Sequence, residues 1–309
     1  MPLLADYAIT PDVFDSTSYS SEELGRLHLR EIGEVMRTEG VVRDLRSGEW
    51  RRLLASDGRP WHRTGKELVR KLAAQGRLIG FQPALGTVPA DDAGWCAEAL
   101  ATHEALPLTG GIISTEPLKD LYRSEPLVAR IDRLNSAAWW QNRSTSVSLP
   151  RNLTAYRQHL EPILRCANSL QFIDPHLDPT RRQSRKFANL LDGISAPMIE
   201  IHRVCYYGAG SSRAILDLDE WEEHFRKGLD ASLRSANLQA DIFIWDNFHD
   251  RYLISNLVGI LLSNGFDTTN NPNDETTWAR LGRDTRDKIQ LEFDPASGRH
   301  TLCGKFRIP

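Results

Sequence analysis

Three short apolar runs in the second half of the chain constrain its fold more than any other feature: SLQFID (169–174), PMIEIHRVCYY (197–207) and ADIFIWDNF (240–248). Each is rich in β-branched and aromatic residues, and helical stretches of roughly ten to twenty residues separate them. NLTAYRQHLEPILRCA leads into the first run, KFANLLDGI into the second, and DLDEWEEHFRKGLDASLRSA into the third. Strands alternating with helices predict an α/β unit whose mixed or mainly parallel sheet is flanked by helices. In such a sheet, functional groups collect beyond the carboxyl ends of the strands.

Acids and histidines stand at or near all three ends. The first run closes on Asp174, with His176, Arg181 and Arg182 just behind it. The second places Glu200 and His202 in alternate positions, hence on one side of the strand. The third gives way to Asp246, His249, Asp250 and Arg251 before the apolar pattern resumes. Tyr206 and Tyr252 bring aromatic rings to the same region.

The first half reads differently. EELGRLHLREIGEVMR behind the N-cap candidates Ser20 and Ser21, GKELVRKLAAQG, DDAGWCAEALATHEAL and KDLYRSEPLVARIDRLNSAAWW all carry helical spacing. RLIGFQP and GGIIST are short extended pieces between them. A mainly helical accessory domain over residues 1–148 is therefore expected, with the polar stretch RSTSVSLPRN as its boundary and an α/β catalytic domain over 149–309. Residues 43–77 hold ten Lys/Arg against four acids, although the whole chain carries only −3. A basic helix followed by a short strand is what a winged-helix module presents to DNA, with Arg51, Arg52, Arg63 and Lys66 as the expected phosphate contacts.

A chain of 309 residues buries enough surface to be stable without metal or disulfide. Cys96, Cys166, Cys205 and Cys303 show no metal-binding spacing and are expected to be core residues in a reducing compartment. No secretory leader and no apolar run of membrane-spanning length is evident, so a cytoplasmic protein is expected. GAGSSR (208–213) lacks the spacing of a P-loop or dinucleotide fingerprint, and neither a cofactor nor a metal is expected.

FIDPHLDP, MIEIHRV and FHDRYLISNLVGILLSNGFD, taken together, resemble the phospholipase D-like superfamily of phosphodiesterases and nucleases. His249 matches the histidine of the family's His-x-Lys motif, Arg251 stands at the lysine, Asn256 at the following aspartate, and Asn264 and Gly265 near the later polar and glycine positions. The resemblance spans residues 169–309 and departs from the pattern at Arg251 and Asn256. It implies metal-independent cleavage through a phosphohistidine, with a second histidine protonating the leaving oxygen. That second histidine would come from His176, from His202, or from another chain in a homodimer. The resemblance further implies a nucleic acid, most simply DNA, as substrate, and a place in bacterial defence against phage.

Two other readings use the same residues. Asp174, Glu200, Asp246 and Asp250 gathered round an extruded base would suit a DNA glycosylase. A chain that only binds nucleic acid would need the basic segment and none of the chemistry.

Overall fold

The computed structural model describes residues 2–207 and 214–309; GAGSSR lies outside them. The chain divides into two compact units, Met1–Ser144 and Thr145–Pro309. Both combine helices with sheets, so the α/β class holds throughout.

The N-terminal unit, expected to be mainly helical with short extended pieces at RLIGFQP and GGIIST, is built on five parallel strands, two of which fall in those pieces. They are β1 (Ala5–Ile9), β2 (Gly40–Asp44), β3 (Leu78–Gly80), β4 (Ile112–Ser114) and β5 (Val128–Arg130), in the order β3-β2-β1-β4-β5. Helices α1 (Glu22–Thr38), α2 (Leu45–Ala55), α3 (Arg63–Ala74), α4 (Asp92–Ala105), α5 (Glu116–Leu121) and α6 (Ala138–Gln141) connect and flank them. The helical readings of α1, α3 and α4 hold, and Ser21 caps α1 by accepting from the Leu24 amide at 3.2 Å. What differs is ADYAI and GVVRD, five-residue strands buried along their whole length. Strands covered on both faces show no polar alternation, which hides them beside strongly periodic helices. The expected helix from Lys119 to Trp140 is broken into α5, β5, a 3₁₀ turn and α6. A winged-helix arrangement is thus replaced by a parallel sheet.

The core of this sheet contains an ion pair. Asp6 of β1 and Arg43 of β2 are 1% exposed and meet at 2.7 Å. The other carboxylate oxygen takes the Thr109 amide at 2.8 Å and its hydroxyl at 2.9 Å. Arg43 also donates to the Leu106 carbonyl at 2.7 Å.

The C-terminal unit opens with β6 (Ser146–Pro150) and α7 (Leu153–Cys166), then β7 (Leu170–Ile173) and β8 (Met198–Val204). A two-residue pair, β9 (Tyr206–Tyr207) and β10 (Ala214–Ile215), precedes α8 (Leu218–Ser235) and β11 (Gln239–Trp245). There follow β12 (Tyr252–Ser255), β13 (Gly259–Leu262), β14 (Glu275–Arg280), α9 (Arg283–Glu292) and β15 (Leu302–Ile308). The eight-stranded sheet runs β15-β11-β8-β7-β12-β13-β14-β6, with β11, β8 and β7 parallel and every other pairing antiparallel. The polar stretch read as a boundary supplies β6, an edge strand whose polarity suits its exposed position.

Helix α8 starts from a capping box, Asp217 with Glu220, and buries Trp221, Phe225, Leu229 and Leu233. Phe225 meets Phe306 of β15 on that face of the sheet. The other face carries Ile173, Val204, Phe243 and Trp245, packed with Ile289 of α9 and Phe293 just after it. Helix α9 precedes the DPASG turn, and β15 closes the edge against β11. Cys96 and Cys205 are buried as expected, but Cys166 is only partly covered and Cys303 is exposed.

Candidate functional site

Because β7, β8 and β11 are parallel, their carboxyl ends lie along one edge of the sheet. Antiparallel pairing returns the start of β12 and the end of β13 to that edge. The loops 174–179, 246–251 and 263–265 therefore converge there, and they contain most of the candidate residues.

On the α8 face the centre is Asp174, 3% exposed. Its Oδ1 accepts the His176 amide at 3.0 Å, and its Oδ2 accepts the Phe266 amide at 3.1 Å. The Arg251 Nε stands 3.7 Å from Oδ1. Gly265 makes this possible: its φ is +64°, and a Cβ there would fall 2.0 Å from the Asp174 Oδ2. Asn264 precedes it, exposed at the same end of the sheet. Burial pushes the Asp174 pKa up to about 6; Asp267 adds to the rise, while the two amides and Arg251 oppose it. The His176 ring is largely open, yet the protein around it and the cations Arg251, Arg203 and Arg181 hold its pKa below the ordinary histidine range.

The raised carboxyl has a stability consequence. A neutral Asp174 favours the fold, so its contribution is full below the unfolded value near about 3.9 and is lost as pH rises through about 6. Urea unfolding of the wild type and Asp174→Asn at pH 4 and pH 8 should show the wild type losing about 2 kcal/mol relative to the variant. An unchanged difference would contradict the raised carboxyl.

On the α9 face, a pocket of about 420 Å³ is lined by His249, Asp250, Tyr252, Glu292, Arg299 and His300, among others. Tyr252 pairs with Ile173, which puts this pocket across the sheet from Asp174. His249 is exposed, and its carbonyl accepts from the Arg251 Nη1 at 3.4 Å. The Tyr252 hydroxyl donates to the Asp250 carboxylate at 3.0 Å; burial first, then Asp250, raises its pKa and keeps it a donor. His300 lies 2.8 Å from the Glu292 Oε1 through its Nε2 and stacks on Phe293 with centroids 5.3 Å apart. A carboxylate can only accept, so Nε2 carries the proton and Nδ1 is left for acid–base exchange.

His300 was not singled out from the sequence. It lies in a turn next to β15, and only the antiparallel pairing of β15 with β11 carries it to His249. Asp246 helps to fix this rim, its Oδ1 accepting the amides of Asn247 at 2.7 Å and Thr301 at 3.2 Å.

Several candidates have other positions. His202 is 0% exposed, stacked on Phe243 at 4.7 Å, and accepts the Trp245 Nε1 at 3.1 Å; it is a core histidine, and burial holds its pKa down. Glu200 accepts the Gln171 amide at 2.7 Å and lines a separate cavity of about 200 Å³ with Asn168 and Gln290. Asn256 sits at the far end of β12, where its Oδ1 takes the Asn168 amide at 3.0 Å. Tyr206 lines a neighbouring cavity of about 380 Å³. Arg181 faces Asp178 at 3.5 Å, and Arg182 is exposed. Asp174 and Glu200 thus lie apart from Asp246 and Asp250, which share the pocket of about 420 Å³, so the four carboxylates of the glycosylase reading are not gathered at one place.

No known family profile matches the chain, and no curated protein matches it. Among solved structures it is similar to the polyphosphate kinase of Porphyromonas gingivalis, at 10% identity over 47% of this chain and a TM-score of 0.30. The chain spans 24% of that kinase. It is also similar to TrmBL2, an archaeal chromatin protein with a novel mode of DNA binding, at 10% identity, 76% and 70% coverage and a TM-score of 0.29. Scores this low assign neither a family nor an activity to the chain. No helix among the described residues is long and apolar enough to cross a membrane.

Proposed function

We propose that the C-terminal unit cleaves phosphodiester bonds in nucleic acid strands at the pocket shared by His249 and His300. The observation that carries this reading is two imidazoles lining one pocket, one exposed and the other held by a carboxylate. An imidazole nitrogen of His249 attacks phosphorus, a P–N bond forms, and the P–O bond to the leaving strand breaks. His300 gives its Nδ1 proton to the departing oxygen. In the second half, water attacks the phosphohistidine, His300 takes its proton back, and His249 is released. Glu292 accepts from the Nε2 of His300 and leaves its Nδ1 for the transfer. Arg299 on the pocket rim supplies a guanidinium group suited to phosphoryl oxygens.

With His300 as the second histidine, the chemistry needs no partner chain. Arg251 replaces the lysine of the phospholipase D-like pattern and pairs with Asp174, while the Asn256 position serves the β12–β13 turn instead of the pocket.

Purified protein incubated with single- and double-stranded DNA and RNA in EDTA, then run on denaturing gels with and without alkali, tests the reading. Breaks should appear before alkali, and His300→Ala should slow them by about 10²–10⁴-fold. Breaks that appear only after alkali would replace phosphodiester with N-glycosidic chemistry, and no breaks of either kind would remove the enzyme reading.

A further inference from the structure

The N-terminal unit carries an open groove of about 590 Å³ between α1 and α3. Its floor includes Leu29, Gly33 and Leu68; Gly33 lets α3 come close, since a Cβ there would stand 3.3 Å from the Leu68 Cδ1. Arg26, Arg30 and Arg37 line it from α1, and Arg63 and Lys71 from α3. The lining acids Glu34 and Glu67 are already engaged, by Arg37 at 2.5 Å and by Arg70 and Lys71 at 2.9 and 3.3 Å. Among the described residues, Arg26, Arg30 and Arg63 carry no ion pair, against one lining acid, Glu22, in the same condition. Three unpaired cations less one unpaired acid leave a local excess of two positive charges.

We infer that this groove holds the phosphate backbone of a nucleic acid strand. Uncompensated cations along an open groove favour a polyanion. All three are arginines, whose planar forks match phosphate oxygens. Arg26 and Arg30 are one helical turn apart, a rise of about 6 Å, so they form one row along the groove. No aromatic side chain lines it, so it offers no stacking platform for bases and contacts the backbone without regard to sequence. Of the basic residues expected to contact phosphate, Arg63 alone lines the groove; Arg51 faces Asp44 at 3.4 Å and Lys66 faces Asp57 at 4.0 Å.

The test is anisotropy of a fluorescein-labelled oligothymidylate titrated with the full chain carrying His249→Ala, the strand's integrity being checked on a denaturing gel after each titration. Adding Arg26→Gln, Arg30→Gln and Arg63→Gln together should weaken binding and lower the slope of log affinity against log salt by about 2, from roughly 0.7 per phosphate contact on a single strand. Arg123→Gln with Arg133→Gln, outside the groove, should leave both quantities unchanged. Unaltered affinity and slope in the triple variant would overturn the inference. So would displacement of the strand by oligoglutamate at equal charge concentration, which would assign the groove to an acidic protein segment.

Discussion

Under the proposed mechanism, His249→Ala should remove strand cleavage, by a factor on the order of 10⁵ or more, because it deletes the atom proposed to bond to phosphorus. The fold should not change. His249 is exposed, and its one hydrogen bond among the described residues runs through its backbone carbonyl to Arg251, which alanine retains. Circular dichroism and the urea midpoint should therefore coincide with wild type while cleavage in EDTA disappears. Cleavage persisting at more than a hundredth of the wild-type rate would show that another group attacks. His300→Ala should be the milder lesion, because water can replace a general acid poorly and a nucleophile not at all.

The second large effect is on stability and lies in the N-terminal unit. Asp6→Ala leaves Arg43 buried, without its carboxylate, between β1 and β2. Removing one partner of a buried pair costs about 3–5 kcal/mol, most of it from the charge left behind. The Thr109 amide and hydroxyl lose their acceptor as well. Hydrogen exchange of the β1 and β2 amides should accelerate by a factor on the order of 10² to 10³ as that unit opens more often. Asp6→Ala combined with Arg43→Met should recover part of the loss, since no charge then remains buried. A single variant within 0.5 kcal/mol of wild type would mean that the pair contributes nothing to the sheet.

The two ends of the chain differ in how much of this could be read from sequence. Strands β7, β8 and β11 were legible because their apolar runs are long enough and bounded by turns or caps such as Asp217. Strands β1, β2 and β5 are three to five residues of locally ambiguous sequence, and pairing with partners far along the chain makes them strands. The same limit applies to the site. His249, Arg251 and Asp174 stand at strand ends that local pattern finds, whereas His300 joins His249 through the register of β15 on β11. His202 misled for a physical reason: a histidine on a strand looks equally reactive whether it faces a cleft or, as here, the rings of Phe243 and Trp245.

The pocket account depends most directly on a covalent bond to one nitrogen. Internally ³²P-labelled single-stranded DNA mixed with the protein, quenched in alkaline detergent within the first turnover and digested for mass spectrometry, should yield a nucleotidyl-phosphohistidine at His249. No such adduct should form in His249→Ala. A label carried by another residue, or full cleavage with no protein-bound label at any time, would contradict the assignment of His249 as the nucleophile.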